Sequence, residues 1–447
     1  MDNKIIIKNG KIVLFDRVVT GDLKIANGII TAIGKGAHHD NANLEIDASG
    51  KYVLPGFVDI HTHGINGFDL TNGLFCQDSS SFLTDEENFV KGIQAAIQKY
   101  LSRGTTRIFL ATVSASEKHL KKVLGFLANY LKSQKSLNID TPVSGVLLEG
   151  TFIKNKQFAG AQNADYFREP SIDFFDRLQA AANGHIKSVN IVPEYDAAAY
   201  ELIKYLTAHN VVCGAGHTGA TADQYTQAVE NGLRIAIHFL NGPTGSSTKP
   251  FGHGGAIQAV LRSPEVFAEL IMDGYHVDPI YLREVFQRKG LPRVIAITDS
   301  MFVTGLENIE TFIVSGVLGR VSDNRQYLEV VGAENALFGS VLTMDVAFSN
   351  IVSWLTQDMA GIWHPYHSAL PLHEALIQAT WMCSRNPAKA LHIMRPEYQH
   401  IGQDLSQFTG SLDVGKSADI VIGALNGEPG NYALEIDNVI FKGNIVQ

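Results

Sequence analysis

Cysteine is scarce in this chain. Cys76, Cys213 and Cys383 are the only three in 447 residues, they lie far apart, and no CxxC occurs. An odd and scattered set offers no disulfide framework and no thiolate metal site, and it fits a reducing compartment. Basic residues are also in deficit, with 36 Lys+Arg against 45 Asp+Glu and a formal net charge of −9. Without a Lys/Arg run or a basic amphipathic stretch, nucleic acid and anionic membrane surfaces are not expected partners. An acidic small molecule, which needs only a few local donors, stays possible. No stretch approaches the ~18 apolar residues of a membrane span, and "MDNKIIIKNGK" has no apolar leader core. The expectation is a cytoplasmic protein. Short repeats, low-complexity segments and a GxGxxG after the first barrel-type strand are absent as well.

What is present is ordinary globular composition, 45% hydrophobic and 18% charged, enough to bury a sizeable core. The length predicts one large domain and a smaller one. The first ~55 residues read as short strands split by Asn-Gly turns ("IIIKNGKIVLF", "LKIANGIITAIG", "YVLPGF"). The tail repeats that pattern in "GSLDVGKSADIVIG" and "NVIFKGNIV". Residues 1–55 and 396–447 are therefore expected to form one small β domain, a β-sandwich built from both termini. Residues 56–395 alternate strand and helix. Eight strand candidates occur there: "FVDIHTHG", "TRIFLATV", "VSGVLLEG", "SVNIVPE", "VVCGAGHTG", "RIAIHFLNG", "AELIMDGYHV" and "RVIAITDS". Strands that are apolar throughout, separated by helical segments, predict an α/β fold, a closed (β/α)8 TIM barrel. A doubly wound open sheet is the alternative.

Residues with metal or acid/base chemistry sit where these strands end: His61 and His63, Glu149, His217, His238, His276 and Asp299. All strand C-termini of such a barrel open on one face, so these side chains are expected to converge. Each alone has a bland explanation, as a polar strand-end residue, a plain βα turn or a helix N-cap. Their coincidence at six strand ends points to a metal centre with nitrogen and carboxylate ligands, suited to Zn²⁺ or a similar divalent ion. His185, His209, His364, His367, His373 and His392 lie off the strand ends and are expected to be structural.

In order along the chain, "PGFVDIHTHG", "LEGTFI", "GHTGAT", "HFLNG", "DGYHV", "ITDSM", "GSVLTMD", "NPAKALHI" and "GSLDVGKSADIVI" resemble the amidohydrolase superfamily, and within it the N-acetylglucosamine-6-phosphate deacetylase family. The resemblance covers nearly the whole chain. It implies a hydrolase that removes acetyl from an N-acetylated amino sugar, N-acetylglucosamine-6-phosphate or a related N-acetylhexosamine. It implies one or two divalent ions per subunit, Zn first with Fe or Mn open, held by Glu149, His217 and His238 and by the His61/His63 pair. Asp299 is implied as the catalytic acid/base. Ala161, Gln162, Asn241, Gly242, His276 and the segment Leu337, Phe338, Gly339 are implied as substrate-binding, and the subunits as a homodimer.

Two departures fall on recognition positions. "AGAQN" places Gln162 where the family carries a His; Gln can donate N–H but cannot shuttle a proton. The family's phosphate-contacting Arg is missing from "NGPTGSSTKPFGHGG", which leaves Lys249 as the nearest cation, a point charge without a bidentate fork. Two other readings stay open on the residues: an amidohydrolase acting on a cyclic amide or N-acyl amino acid, and a non-catalytic barrel. The strand-four ending "IVPE" has no Lys for a bridging carbamate, and neither Asp299 nor a metal-type His is lost.

Overall fold

The structure is a computed structural model that describes residues 4–34, 42–241, 254–391 and 409–447. Eight parallel strands form one sheet in sequence order: β1 (Phe57–Thr62), β2 (Thr105–Ala111), β3 (Val143–Phe152), β4 (Ile186–Ile191), β5 (Val212–Ala215), β6 (Leu233–Ala236), β7 (Phe267–Ile271) and β8 (Val294–Ile297). These are the eight expected strands. The sheet nearly closes, and just beyond the strand ends the Asp299 N–H donates to the His61 carbonyl at 2.9 Å, stitching β8 to β1. Every residue of β1 and β2 is buried, because one face meets the barrel interior and the other is covered by helices.

The first of these helices shows how sequence positions the layer. Asp85 caps the Glu86–Ser102 helix by accepting from the Asn88 N–H, and Phe89, Ile93, Ala96, Ile97 and Tyr100 repeat at helical spacing on its buried face. No helix among the described residues is long and apolar enough to cross a membrane.

Both termini build one further sheet of eight strands. Ile420 pairs with Pro55, so the returning chain hydrogen-bonds directly to the strand that precedes the barrel. The strand Lys4–Val13 forks the sheet: Ile5–Lys8 pair with Leu44–Asp47, and Lys11–Ile12 with Tyr52–Val53. Ile7, Ile12, Leu23, Val53, Ile420 and Ile440 share its separate core. The expected boundary near residue 396 lies outside the described residues.

Arg107 on β2 ties the two units together. Its Nε and Nη2 reach Asp419 Oδ2 at 3.1 and 2.8 Å, with both groups buried. Two small sheets were not foreseen from the sequence. Gly64–Leu83 carries four short strands, and Thr311–Val330 carries three, the latter resting on a cluster that includes Phe302, Phe312 and Phe338.

Candidate metal centre and active site

His61 and His63 are two residues apart at the end of β1, so strand alternation points both side chains the same way. Glu149 lies within β3, three residues before its end. His217, His238 and Asp299 each lie two residues past their strands, and all three hold left-handed backbone, with φ of 56°, 29° and 50°. Such conformations cost on the order of 1–3 kcal/mol each and persist where the surroundings over-determine them. Here they turn the side chains back over the barrel mouth. Gly150 turns the chain beside Glu149 at φ 81°, and a Cβ there would meet the Ser114 amide nitrogen at 2.4 Å.

The six side chains converge. Around the Glu149 carboxylate lie His238 Nε2 at 3.2 Å, His63 Nε2 at 3.3 Å, His61 Nε2 at 3.6 Å and His217 Nε2 at 3.7 Å. Asp299 Oδ1 stands 3.2 Å from His63 Nε2 and 3.5 Å from His61 Nε2. Two ligand groups result, His61/His63/Glu149 and Glu149/His217/His238, each with donor atoms within 4.8 Å of one another. All six residues are buried.

The outward ring nitrogens decide which atoms face inward. His217 Nδ1 lies 2.9 Å from the Phe158 carbonyl and His238 Nδ1 lies 3.1 Å from that of Asn241. A carbonyl only accepts, so both Nδ1 atoms carry the proton and both Nε2 atoms present lone pairs inward. Those two Nε2 atoms are 3.1 Å apart, a repulsive arrangement unless a cation lies between lone pairs. His61 Nε2 is likewise buried without a hydrogen-bond partner. The donor set, imidazole and carboxylate without thiolate, fits a divalent transition ion.

The electrostatics agree. Burial alone would raise the Glu149 carboxyl, but the His61 charge foremost, with the other imidazoles around it, holds it well below the usual range in the metal-free pocket. Burial is likewise overcome at Asp299, held down by the His63 hydrogen bond and the charges of His61, His63 and His238. Burial would discharge His61, but the Glu149 charge, with the Glu269 contact and the Asp299 charge, holds it well above an ordinary imidazole in the metal-free pocket. The pocket holds two ionised carboxylates and favours positive charge around them.

All six converging residues but His61 floor a cavity of about 640 Å³. Of the expected substrate residues, Ala161, Gln162, Asn241, His276, Leu337, Phe338 and Gly339 line it, together with His63, Glu149, His217, His238 and Asp299. Gly242 and Lys249 lie outside the described residues. His276 Nδ1 donates to Asp273 Oδ2 at 2.6 Å, and its buried Nε2 has no partner. Gln162 is committed at both ends of its amide: Oε1 accepts from the Ser114 N–H at 2.7 Å and Nε2 donates to Glu149 Oε2 at 3.0 Å. It orients the shared carboxylate as well as lining the cavity.

Sequence reasoning missed Lys156, Gln157, Glu334 and Asn335 on the wall, all from loops without strand-end position to mark them. It also missed Glu194, the carboxylate in "IVPE". Glu194 accepts from Thr218 Oγ1 at 2.5 Å and the Gly219 N–H at 2.6 Å, steadying the turn that carries His217. Of the histidines set aside as structural, His367 is buried against Glu284 at 3.2 Å, while His392 lies outside the described residues.

Residues 52–446 match the amidohydrolase family. The N-acetylglucosamine-6-phosphate deacetylase of Bacillus subtilis is 28% identical over 94% of this chain and 93% of its own length. The N-acetylgalactosamine-6-phosphate deacetylase of Escherichia coli O157:H7 is 26% identical, covering 89% of each chain. Among solved structures, N-acetyl-D-glucosamine-6-phosphate deacetylase from Mycobacterium smegmatis superposes with a TM-score of 0.77 at 25% identity, covering 99% of this chain and 100% of that one.

Proposed function

Because the chain belongs to the amidohydrolase family, we propose that it is a metal-dependent hydrolase that removes acetyl from an N-acetylated amino sugar, N-acetylglucosamine-6-phosphate or a close N-acetylhexosamine relative. The observation that carries this reading is the pair of ligand groups sharing Glu149 with Asp299 beside them at the floor of one cavity. The similarity to two deacetylases of phosphorylated amino sugars supports the substrate class.

Glu149, His217 and His238 would hold one divalent ion, and His61 and His63 with Glu149 a second; Zn²⁺ is the first choice, with Fe²⁺ or Mn²⁺ compatible. When bound, such an ion polarises a carbonyl and lowers the pKa of water. Asp299, kept ionised by its imidazole neighbours, takes a proton from the attacking water as the water oxygen bonds to the amide carbon. The same carboxyl then delivers that proton to the departing nitrogen as the C–N bond breaks, giving acetate and the free amine. His276, with Nδ1 committed to Asp273, offers Nε2 to a sugar hydroxyl. Among the described cavity residues Lys156 is the one Lys or Arg; its Nζ is 3.9 Å from Asp165 and its side chain is 76% exposed. It joins Lys249 as a cation able to meet a 6-phosphate. A homodimer in the cytoplasm completes the reading.

The test is acetate release by the metal-loaded protein from N-acetylglucosamine-6-phosphate, N-acetylgalactosamine-6-phosphate and their unphosphorylated forms. Turnover of at least one is expected; none on any of the four overturns the reading.

A further inference from the structure

The four histidines of the centre are not held alike. His217 and His238 donate Nδ1–H to neutral backbone carbonyls, and His63 Nδ1 is buried with no partner. His61 alone has a carboxylate behind it: Glu269 Oε2, on β7, lies 3.2 Å from His61 Nδ1. Glu269 is 2% exposed, and among the described residues no Lys or Arg pairs with it. Its remaining contact at that oxygen is a long one, the His238 N–H at 3.4 Å. A buried carboxylate is expensive unless a positive charge answers it. Its nearest donor is the His61 ring N–H at Nδ1, on an imidazole that faces Glu149 and Asp299 with its other nitrogen.

We infer that Glu269 is a positioning residue for the ion site of His61, His63 and Glu149, and that it acts on this site rather than on that of Glu149, His217 and His238. By accepting from Nδ1, Glu269 places the His61 proton outward and leaves the Nε2 lone pair inward. The charge behind the ring also strengthens that nitrogen as a ligand. His63 has no such support, so the group depends on the one anchored ring. The inference rests on the reading that the centre holds two ions. It concerns binding and not turnover, so it survives or fails independently of the substrate.

The experiment compares wild type, Glu269→Gln and Glu269→Leu, each stripped of metal and titrated with Zn²⁺ alone, without substrate, by calorimetry and by metal analysis after gel filtration. Gln keeps the size and an acceptor for Nδ1–H but removes the charge; Leu removes both. The expected result is two equivalents in wild type. In Glu269→Gln the first equivalent should be unchanged and the second weakened about 10- to 100-fold, with the second absent in Glu269→Leu. Two equivalents at wild-type affinity in Glu269→Gln overturn the assignment. So does equal weakening of both equivalents with a lowered melting temperature of the metal-free protein, which marks a merely structural carboxylate. One equivalent in wild type overturns it too. Absence of deacetylase activity with these titrations intact would reject the substrate reading and leave Glu269 in its role.

Discussion

Asp299→Asn separates proton transfer from metal binding. The substitution keeps the side-chain volume, and Asn accepts left-handed backbone, so the φ of 50° is tolerated. The anchors of this residue are main-chain: its N–H donates to the His61 carbonyl at 2.9 Å, and its carbonyl accepts from the Ser340 N–H at 2.8 Å. What disappears is the carboxylate charge, whose neighbours are His63 Nε2 at 3.2 Å and His61 Nε2 at 3.5 Å. Loss of a positioned acid/base costs about 10²- to 10⁴-fold in kcat, or about 3–6 kcal/mol of barrier at ~1.4 kcal/mol per tenfold.

The ion of Glu149, His217 and His238 should stay, because those three close on one another without Asp299. The His61/His63 side should weaken. An ion held by those two imidazoles would lose the attraction of a carboxylate whose Oδ1 stands 3.2 and 3.5 Å from their Nε2 atoms. The assay is kcat and KM by acetate release, with metal analysis on the same preparation and circular dichroism for folding. A kcat within tenfold of wild type, with metal retained, would refute the acid/base assignment. Loss of both ions together would refute the separation of roles.

Other outcomes follow from the same geometry. Arg107→Ala should cost about 3 kcal/mol of stability, the low end for breaking a buried pair. Asp419 keeps Thr409 Oγ1, Ser417 Oγ and the Lys442 N–H as donors; a denaturation midpoint unchanged from wild type would remove the clamp from the account. In metal-free protein, burial would lower the His63 imidazole from 6.5, yet hydrogen bonds to Asp299 and Glu149 hold it up at about 9. A folded value above the unfolded one means this contribution is complete below pH 6.5 and is lost as pH rises through about 9. Chelated protein should therefore lose stability across that window, and a flat or rising profile speaks against the charge pattern. Lys156→Ala should raise KM several-fold for a phosphorylated sugar and leave KM for the unphosphorylated sugar and kcat alone; equal effects on both sugars would exclude a phosphate contact. Gly150→Ala should displace Glu149, since its φ of 81° and the Ser114 amide nitrogen 2.4 Å from a Cβ leave no room; metal content equal to wild type would contradict that.

Much of this molecule is readable from one sequence because its signals are local. Apolar runs such as "TRIFLATV" declare strands covered on both faces, and helical spacing declares the segments between them. A fixed rule of barrels, that all strand C-termini share one face, then places His61, His63, Glu149, His217, His238 and Asp299 together without any contact being known. The Gly64–Leu83 and Thr311–Val330 sheets escaped because their strands, such as Gly64–Ile65 (2 residues) and Val317–Val321 (5 residues), are too short to show a period, and Lys156 and Glu334 escaped because loop residues have no register to mark them.

By itself, then, the sequence determined the barrel, its two-ended β partner and which polar side chains meet at the barrel mouth, since strand periodicity and strand-end position are properties of neighbouring residues. Only the tertiary structure decided what each of those groups leans on. Gln162, read as a substrate contact, also braces Glu149; Glu269, unmarked in "AELIMDGYHV", stands behind His61 from a strand more than 200 residues away; and Glu194 holds the turn of His217. Those pairings depend on distances across the closed sheet, which no spacing along the chain encodes.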